Sequence, residues 1–224
     1  MTFPVFQPLP LSRRPEPFSD PDWVFEVKYD GFRALAYVER GNARLVSRKA
    51  NAFASFADLT SEITKAIGST RAVLDGEIVC LDESGYSQFN ELLFRRGSPR
   101  FCSFDLLWID GNDLRDVPLI ERKRALRRLV PKYSDHLLYV DHLESEGERL
   151  FELACKHDLE GIVAKHRHSR YTAESSNPAW IKIKNRNYSQ TIGRDELFER
   201  RYEENGAPAI GWIVCDRACA AAQS

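Results

Sequence analysis

Lys28 stands in Phe-Glu-Val-Lys-Tyr-Asp-Gly-Phe-Arg, residues 25–33, an apolar strand-like run that breaks at Asp30-Gly31. An amine at the edge of a buried strand, followed by a tight turn, is placed to act as a nucleophile toward a phosphate. Lysine reacts only as the neutral amine, so its pKa of about 10.4 in water is expected to be lowered here by partial burial or nearby cations. Glu26 lies two residues earlier and shares the strand face of Lys28. Lys182 and Lys184 alternate with Ile181 and Ile183, which puts both amines on one strand face. Two convergent cations there would neutralise a phosphate and depress the pKa of a neighbouring amine. Each feature has a plainer reading when taken singly: Asp-Gly is also a common hairpin turn, and alternating lysines also guard an edge strand.

The order of the motifs narrows the choice. After Lys28-Tyr29-Asp30-Gly31 come Leu74-Asp75-Gly76-Glu77-Ile78-Val79, Phe104-Asp105-Leu106-Leu107, Glu160-Gly161-Ile162-Val163-Ala164-Lys165 and Trp180-Ile181-Lys182-Ile183-Lys184. In this order and at these intervals, over about residues 17–194, they resemble the motif series of the covalent nucleotidyltransferases, most closely the adenylation domain of ATP-dependent DNA ligases. The resemblance implies that Lys28 attacks the α-phosphorus of ATP to form lysyl-AMP, and that AMP then passes to a 5′-phosphate at nicked or broken DNA. It implies that Glu26 accepts from the adenine amino group, that Phe104 stacks on the base, that Arg33 and Arg48 reach sugar or phosphates, and that Glu77 reaches the ribose. Lys182 and Lys184 would then face the α-phosphate. A carboxylate repels the carbonyl that guanine presents, so Glu26 favours adenine. Glu77 and Glu160, each beside a glycine and a β-branched run, are the carboxylates expected on Mg2+ or Mn2+. Asp75 and Asp105 are expected to support this shell. RNA ligases and capping-type nucleotidyltransferases share the lysine motif, and with a non-catalytic nucleotide-binding repair module they are the competing readings.

Positioning these residues calls for strands joined by tight connections. Residues 23–29, 32–39 and 44–48 alternate apolar and polar side chains as strands of a meander. Phe56, Leu59, Ile63 and Ile67 have the spacing of one helical face. Further strands are predicted over 71–81, 100–109, 137–140, 161–165 and 179–184, with one more over 188–194, and helices over 88–94, 120–130 and 146–157. This is an α+β pattern, and by resemblance an ATP-grasp-like nucleotidyltransferase fold of antiparallel sheets flanked by helices. Residues 1–22 read as a proline-rich extended lead-in, 23–194 as the adenylation domain and 195–224 as a short extension. After Lys184, 224 − 184 = 40 residues follow, too few for a five-stranded OB barrel. The ligase OB-fold domain is therefore expected to be absent, which implies slow sealing or a separate OB-fold or end-joining protein acting in trans.

Composition sets the bounds. With 43% hydrophobic and 29% charged residues, the chain has the makings of a soluble globular enzyme with a sizeable core. Lys+Arg 32 against Asp+Glu 33 gives a net charge of -1, so affinity for DNA must come from local patches. Candidates are Arg95-Arg96, the Arg122-Lys123-Arg124 and Arg127-Arg128 clusters, and Lys165-His166-Arg167-His168 with Arg170. The 122–128 segment lies far from every motif and reads as a solvated helix face. Five scattered cysteines read as reduced thiols without a zinc site, and no apolar run has signal-peptide or membrane-spanning length, so the cytoplasm is the expected compartment.

Overall fold

Strands rich in valine, isoleucine and aromatic residues alternate with short amphipathic helices in the computed structural model, which describes residues 3–172 and 178–191. In chain order these are β1 (Ser12–Arg13), β2 (Trp23–Val27), β3 (Phe32–Glu39), β4 (Asn42–Ser47), α1 (Ala57–Ile67), β5 (Ala72–Cys80), α2 (Phe89–Leu93), β6 (Pro99–Ile109) and β7 (Asn112–Asp113). Then follow α3 (Leu119–Leu129), β8 (Leu137–Tyr139), β9 (Leu143–Glu144), α4 (Gly147–Lys156), β10 (Gly161–His166) and β11 (Trp180–Lys184). The chain divides into two compact units, Met1–Tyr188 and Ser189–Ser224. Both sheets belong to the first. Of the second, the described part is the 3-10 turn Ser189–Thr191, where a strand is expected from sequence. The extension expected over 195–224 lies outside the described residues.

One sheet has the order β1-β11-β10-β2-β9 and the other β4-β3-β5-β6-β7, with β8 alongside β6. The fold is α+β, and the pairings are antiparallel except β1 with β11 and β6 with β8, which run parallel. Parallel neighbours need a long connection rather than a hairpin, and both pairs join segments far apart in sequence. The expected meander over 23–48 is corrected: β2 belongs to the first sheet, whereas β3 and β4 belong to the second. Residues 28–31 are therefore a crossing between sheets, not a hairpin turn. Gly31 makes the crossing possible, because a Cβ at that position would lie 2.1 Å from the carbonyl oxygen of Ile78. Asp30, next to it, is buried; its N–H donates to Ser87 Oγ at 3.3 Å and its carboxylate accepts from the Tyr188 hydroxyl at 3.0 Å.

Strand alternation decides which face each side chain takes. Phe25, Ile162, Ala164 and Ile183 close one face of the first sheet against Ala154, Leu150 and Phe151 of α4. A second cluster unites both sheets, with Val24 and Trp180 from the first and Leu35, Tyr37, Val73 and Trp108 from the second. Full burial of each such large side chain stabilises the fold by about 1.5–3 kcal/mol. The proline-rich lead-in joins this cluster through Phe6 and Leu9, and it contributes β1. Helix α1 buries Leu59, Ile63 and Ile67, the face its spacing predicts. Among the described residues, Cys80 and Cys102 are buried free thiols, Cys155 is an exposed one, and no helix is long and apolar enough to cross a membrane.

Candidate active site

A cleft opens where β2, β10 and β11 meet β3, β5 and β6; Glu26, Lys28, Arg33, Glu77 and Phe104 all line it. Lys28 follows β2 at the crossing, where its backbone N–H donates to the carbonyl of Gly161 at 2.9 Å. Gly161 has φ +136, and a Cβ there would meet the Ile183 carbonyl at 2.1 Å. That glycine lets Glu160 sit directly beside the lysine. The ammonium Nζ of Lys28 lies 2.5 Å from Glu160 Oε2, and Lys184 Nζ lies 2.9 Å from Glu160 Oε1. Lys182 lies on the same face of β11 as Lys184, between Arg13 of β1 and Val163 of β10.

The charge state of Lys28 departs from the sequence expectation. Burial pushes its amine down, but Glu160, Glu77 and Asp30 outweigh burial, and the net direction is upward. The expectation weighed burial and cations and left out the carboxylates Glu160, Glu77 and Asp30, whose pull prevails. Glu160 is held below the usual carboxylate range: burial pushes it up, and Lys28 and Lys184 more than reverse that. Glu77 goes the other way, pushed up to about 8 by burial with help from Glu160 and Asp30, against the pull of Lys28 and Arg33.

The opposite wall comes from the second sheet. Arg33 of β3 pairs across from Glu77 of β5. Its guanidinium forks onto Asp75 at 3.1 and 2.7 Å and donates to the Leu9 carbonyl at 2.7 Å. The Tyr171 hydroxyl donates to the same Asp75 carboxylate at 2.7 Å and accepts from the Leu9 N–H at 3.1 Å. The lead-in is thereby tied to the cleft, and its Leu11 is part of the lining. Phe104 reaches the cleft through a bulge: Gly76 pairs with Ser103 and Asp75 with Asp105, leaving Phe104 unpaired between them. A bulge re-aims one side chain out of the alternating pattern.

At the inner end Glu26 is 2% exposed and shared by two lysines, with Lys123 Nζ 2.5 Å from Oε1 and Lys165 Nζ 2.5 Å from Oε2. Burial pushes the Glu26 carboxyl up, and these two ammoniums more than reverse that, so it is lowered. Lys123 also donates to the Val140 carbonyl at 3.0 Å. The sequence reading is corrected here, because the 122–128 segment is not wholly a solvated face. Arg122 and Lys123 are both buried at 0% exposure, and Arg122 forks onto Asp105 with two bonds of 2.8 Å. Asp75 and Asp105, expected to support the Glu77 and Glu160 shell, are buried and pair instead with Arg33 and Tyr171 and with Arg122. Lys165, expected in a basic surface patch, is 1% exposed and lines the cleft with Trp180. Its signal in the sequence is a charge closing the apolar run 161–164; Lys123 has none, since it lies 97 residues from Glu26.

Arg48 is not brought to the cleft. It is exposed on the turn after β4 and is not among the lining residues. Among the described residues no group of three or more His, Cys, Asp or Glu side chains gathers as a metal cage. The pair Glu77 and Glu160 suits instead an ion that takes one or two carboxylates and completes its shell with water and phosphate oxygens. The fit rests on Glu77, whose carboxylate accepts no hydrogen bond among the described residues and is disfavoured as an anion by burial. A cation beside it would relieve both conditions.

Comparison with known proteins identifies the family of the chain. Residues 14–184 match the family described as ATP dependent DNA ligase domain. The chain is 35% identical over 169 residues to the multifunctional non-homologous end joining protein LigD of Pseudomonas aeruginosa, an alignment covering 73% of this chain and 20% of that protein. It is 28% identical over 191 residues to the SPbeta prophage-derived DNA ligase-like protein LigB of Bacillus subtilis, covering 83% of this chain and 69% of that one. A solved mycobacterial DNA ligase D, complexed with ATP and MES, superposes with a TM-score of 0.72 at 30% identity, covering 80% of this chain and 60% of that chain. The chain thus spans about a fifth of the length of the first curated relatives it matches.

Proposed function

The chain belongs to the ATP-dependent DNA ligase domain family, and from that premise we propose that Lys28 takes AMP from ATP as a covalent phosphoramidate and passes it to a 5′-phosphate at a DNA break. In the first step the lone pair of Lys28 Nζ forms a bond to the α-phosphorus, the bond from that phosphorus to the bridging oxygen breaks, and pyrophosphate leaves with the electron pair. The amine gives up a proton on the way. In the second step a 5′-phosphate oxygen attacks the same phosphorus, the P–N bond breaks, and protonated lysine departs as a good leaving group.

The observation that carries this reading is the position of Lys28. It sits in a cleft whose lining includes a carboxylate at one end and an aromatic ring at the other wall, while Glu160 at 2.5 Å holds its ammonium in place. Catalysis of such a transfer is mostly positioning and charge neutralisation. Glu26 and Phe104 would orient the base, Arg33 the sugar or phosphates, and Lys182 and Lys184 the α-phosphate. Glu77 and Glu160 would hold Mg2+ or Mn2+, which when bound supplies charge neutralisation for the triphosphate and competes with the amine for these carboxylates. In this reading those carboxylates keep Lys28 protonated and unreactive before ATP binds, and the Lys28–Glu160 pair has to loosen before the amine can attack.

Incubation with ATP labelled at the α-phosphate and magnesium tests the proposal. The expected result is covalent label on the protein that is discharged by pyrophosphate and lost in Lys28→Ala. Label that persists in Lys28→Ala, or a wild type that takes none, would sink it.

A further inference from the structure

The transfer chemistry leaves one buried acid beside the nucleophile without a task. Asp30 is 4% exposed, two residues beyond Lys28 in the crossing, and its charge reaches both Lys28 and Glu77. Its carboxylate accepts from the hydroxyl of Tyr188 at 3.0 Å, and Tyr188 is buried as well. That tyrosine lies 158 residues further along the chain, at the end of a turn that leaves β11. The turn is built on buried Asn185. The Asn185 N–H donates to the Glu160 carbonyl at 3.0 Å, its Nδ2 donates to the Leu159 carbonyl at 3.1 Å, and its Oδ1 accepts from the Asn187 N–H at 3.0 Å. The stretch 185–188 therefore grips Glu160 through its backbone at one end and Asp30 through its side chain at the other. Lys184, just before the turn, holds the Glu160 carboxylate. Both halves of the Lys28–Glu160 pair are thus backed by one short length of chain.

Resting on the reading of Lys28 as the nucleophile, we infer that Tyr188 is a positioning residue: by holding the Asp30 carboxylate it fixes the crossing, and with it the direction from which the Lys28 amine meets the α-phosphate. A buried carboxylate deprived of a donor is left at a cost and turns toward any other donor in reach. The backbone of the crossing is bonded unevenly. The Lys28 N–H reaches the Gly161 carbonyl at 2.9 Å, whereas the Asp30 N–H reaches Ser87 Oγ at 3.3 Å. The tyrosine bond supports this weaker end. Attack on phosphorus needs the amine in line with the departing oxygen, and an error of about 1 Å in its place costs on the order of 100-fold in rate. Tyr188 is not among the residues that line the cleft. Its loss therefore separates the rate of transfer from the binding of the nucleotide.

Single-turnover labelling over a range of concentrations of α-labelled ATP tests this on wild type, Tyr188→Phe, Asp30→Asn and the double variant. For Tyr188→Phe the maximal rate of covalent labelling is expected to fall roughly 10- to 100-fold, while the half-saturating ATP concentration stays within about twofold of wild type. The double variant is expected to label no more slowly than Asp30→Asn alone, because the hydroxyl acts through that carboxylate. Hydrogen exchange in Tyr188→Phe is expected to quicken at the amides of Lys28 and Asp30 and to stay as in wild type over α1. Asn185→Ala, which loosens the turn that presents the tyrosine, is expected to show the same split in smaller degree, and it decides if Tyr188→Phe does not fold. A Tyr188→Phe protein that labels at the wild-type rate overturns the inference. So does one whose loss lies wholly in the half-saturating concentration, or a double variant slowed by the product of the two single effects. Should the Asp30 variants not fold, the rate split and the exchange at residues 28 and 30 decide. A wild type that takes no label overturns adenylyl transfer and this inference together, whereas equal labelling of wild type and Tyr188→Phe keeps the first and removes the second.

Discussion

Half-buried Lys28 and buried Lys165 line one cleft, and their surroundings push them in opposite directions. Lys28 faces carboxylates and is raised, whereas burial outweighs Glu26 at Lys165 and brings its amine down to about 8, with Lys123 adding repulsion. The groups bearing on Lys165 are Glu26 from β2, Lys123 from α3 and, more weakly, Asp105 from β6. In an unfolded chain this lysine titrates near ~10.4. Between the two values the unfolded chain binds the extra proton, so stability rises with pH across that window and the burial penalty is felt in full below it. Urea unfolding of wild type and Lys165→Met at a series of pH values should show the difference moving in favour of wild type by up to about 3 kcal/mol between pH 8 and 10.4. A constant difference would mean that Lys165 titrates as an exposed lysine does. The same residues mark where sequence reading stops. Glu26, Lys28, Glu77 and Glu160 are legible because each sits in a short motif within or beside a strand. Lys123 is not, because a helical lysine between arginines has the same pattern whether it meets water or a carboxylate 97 residues away.

Among the elements, strand identity follows from the sequence more readily than sheet membership. The alternation in residues 23–48 is that of β2, β3 and β4, but alternation says nothing about which sheet a strand joins. Asp30-Gly31 has the composition of a hairpin turn and instead carries the chain from one sheet to the other, held by Ser87, Tyr188 and the closeness of Gly31 to Ile78. Phe104 is hidden for a related reason. The bulge opposite Asp75 and Gly76 shifts the register by one residue, so counting by twos from Phe101 gives its side chain no defined face. The crossing leads to a prediction. Gly31→Ala drives a methyl group to 2.1 Å from a backbone oxygen, which a side-chain rotation cannot relieve. The expected outcome is a loss of about 3 kcal/mol or more in unfolding free energy, together with loss of covalent AMP labelling as Lys28 shifts from Glu160. A Gly31→Ala protein with wild-type urea midpoint and wild-type labelling would show that the crossing has slack and does not fix the lysine.

For the whole molecule, the proposed function requires a chain of net charge -1 to capture a polyanion. No overall attraction is available, so affinity must come from a few exposed cations, and much of the basic sequence is otherwise engaged. Lys123, Arg122 and Lys165 are buried, and Arg167 is held by the Pro21 carbonyl and Glu144. Arg95 and Arg96 are different: both are exposed just beyond α2, which packs through Phe89 against Phe32, the first residue after the crossing that carries Lys28. Arg95 holds φ +57, a left-handed conformation that is uncommon for a residue with a side chain and often accompanies function. These two arginines are therefore expected to contact phosphates near the reacting end. Each phosphate contact contributes roughly 0.9 to the slope of log K against log salt for duplex DNA, so Arg95→Ala/Arg96→Ala should lower the affinity for a nicked duplex and flatten that slope by about 2. AMP labelling, which needs no DNA, should be unchanged. Binding titrations of both proteins at several salt concentrations settle it: an unaltered slope would move the DNA contact to another surface, with the exposed pair Arg13 and Arg14 beside β11 as the next to substitute.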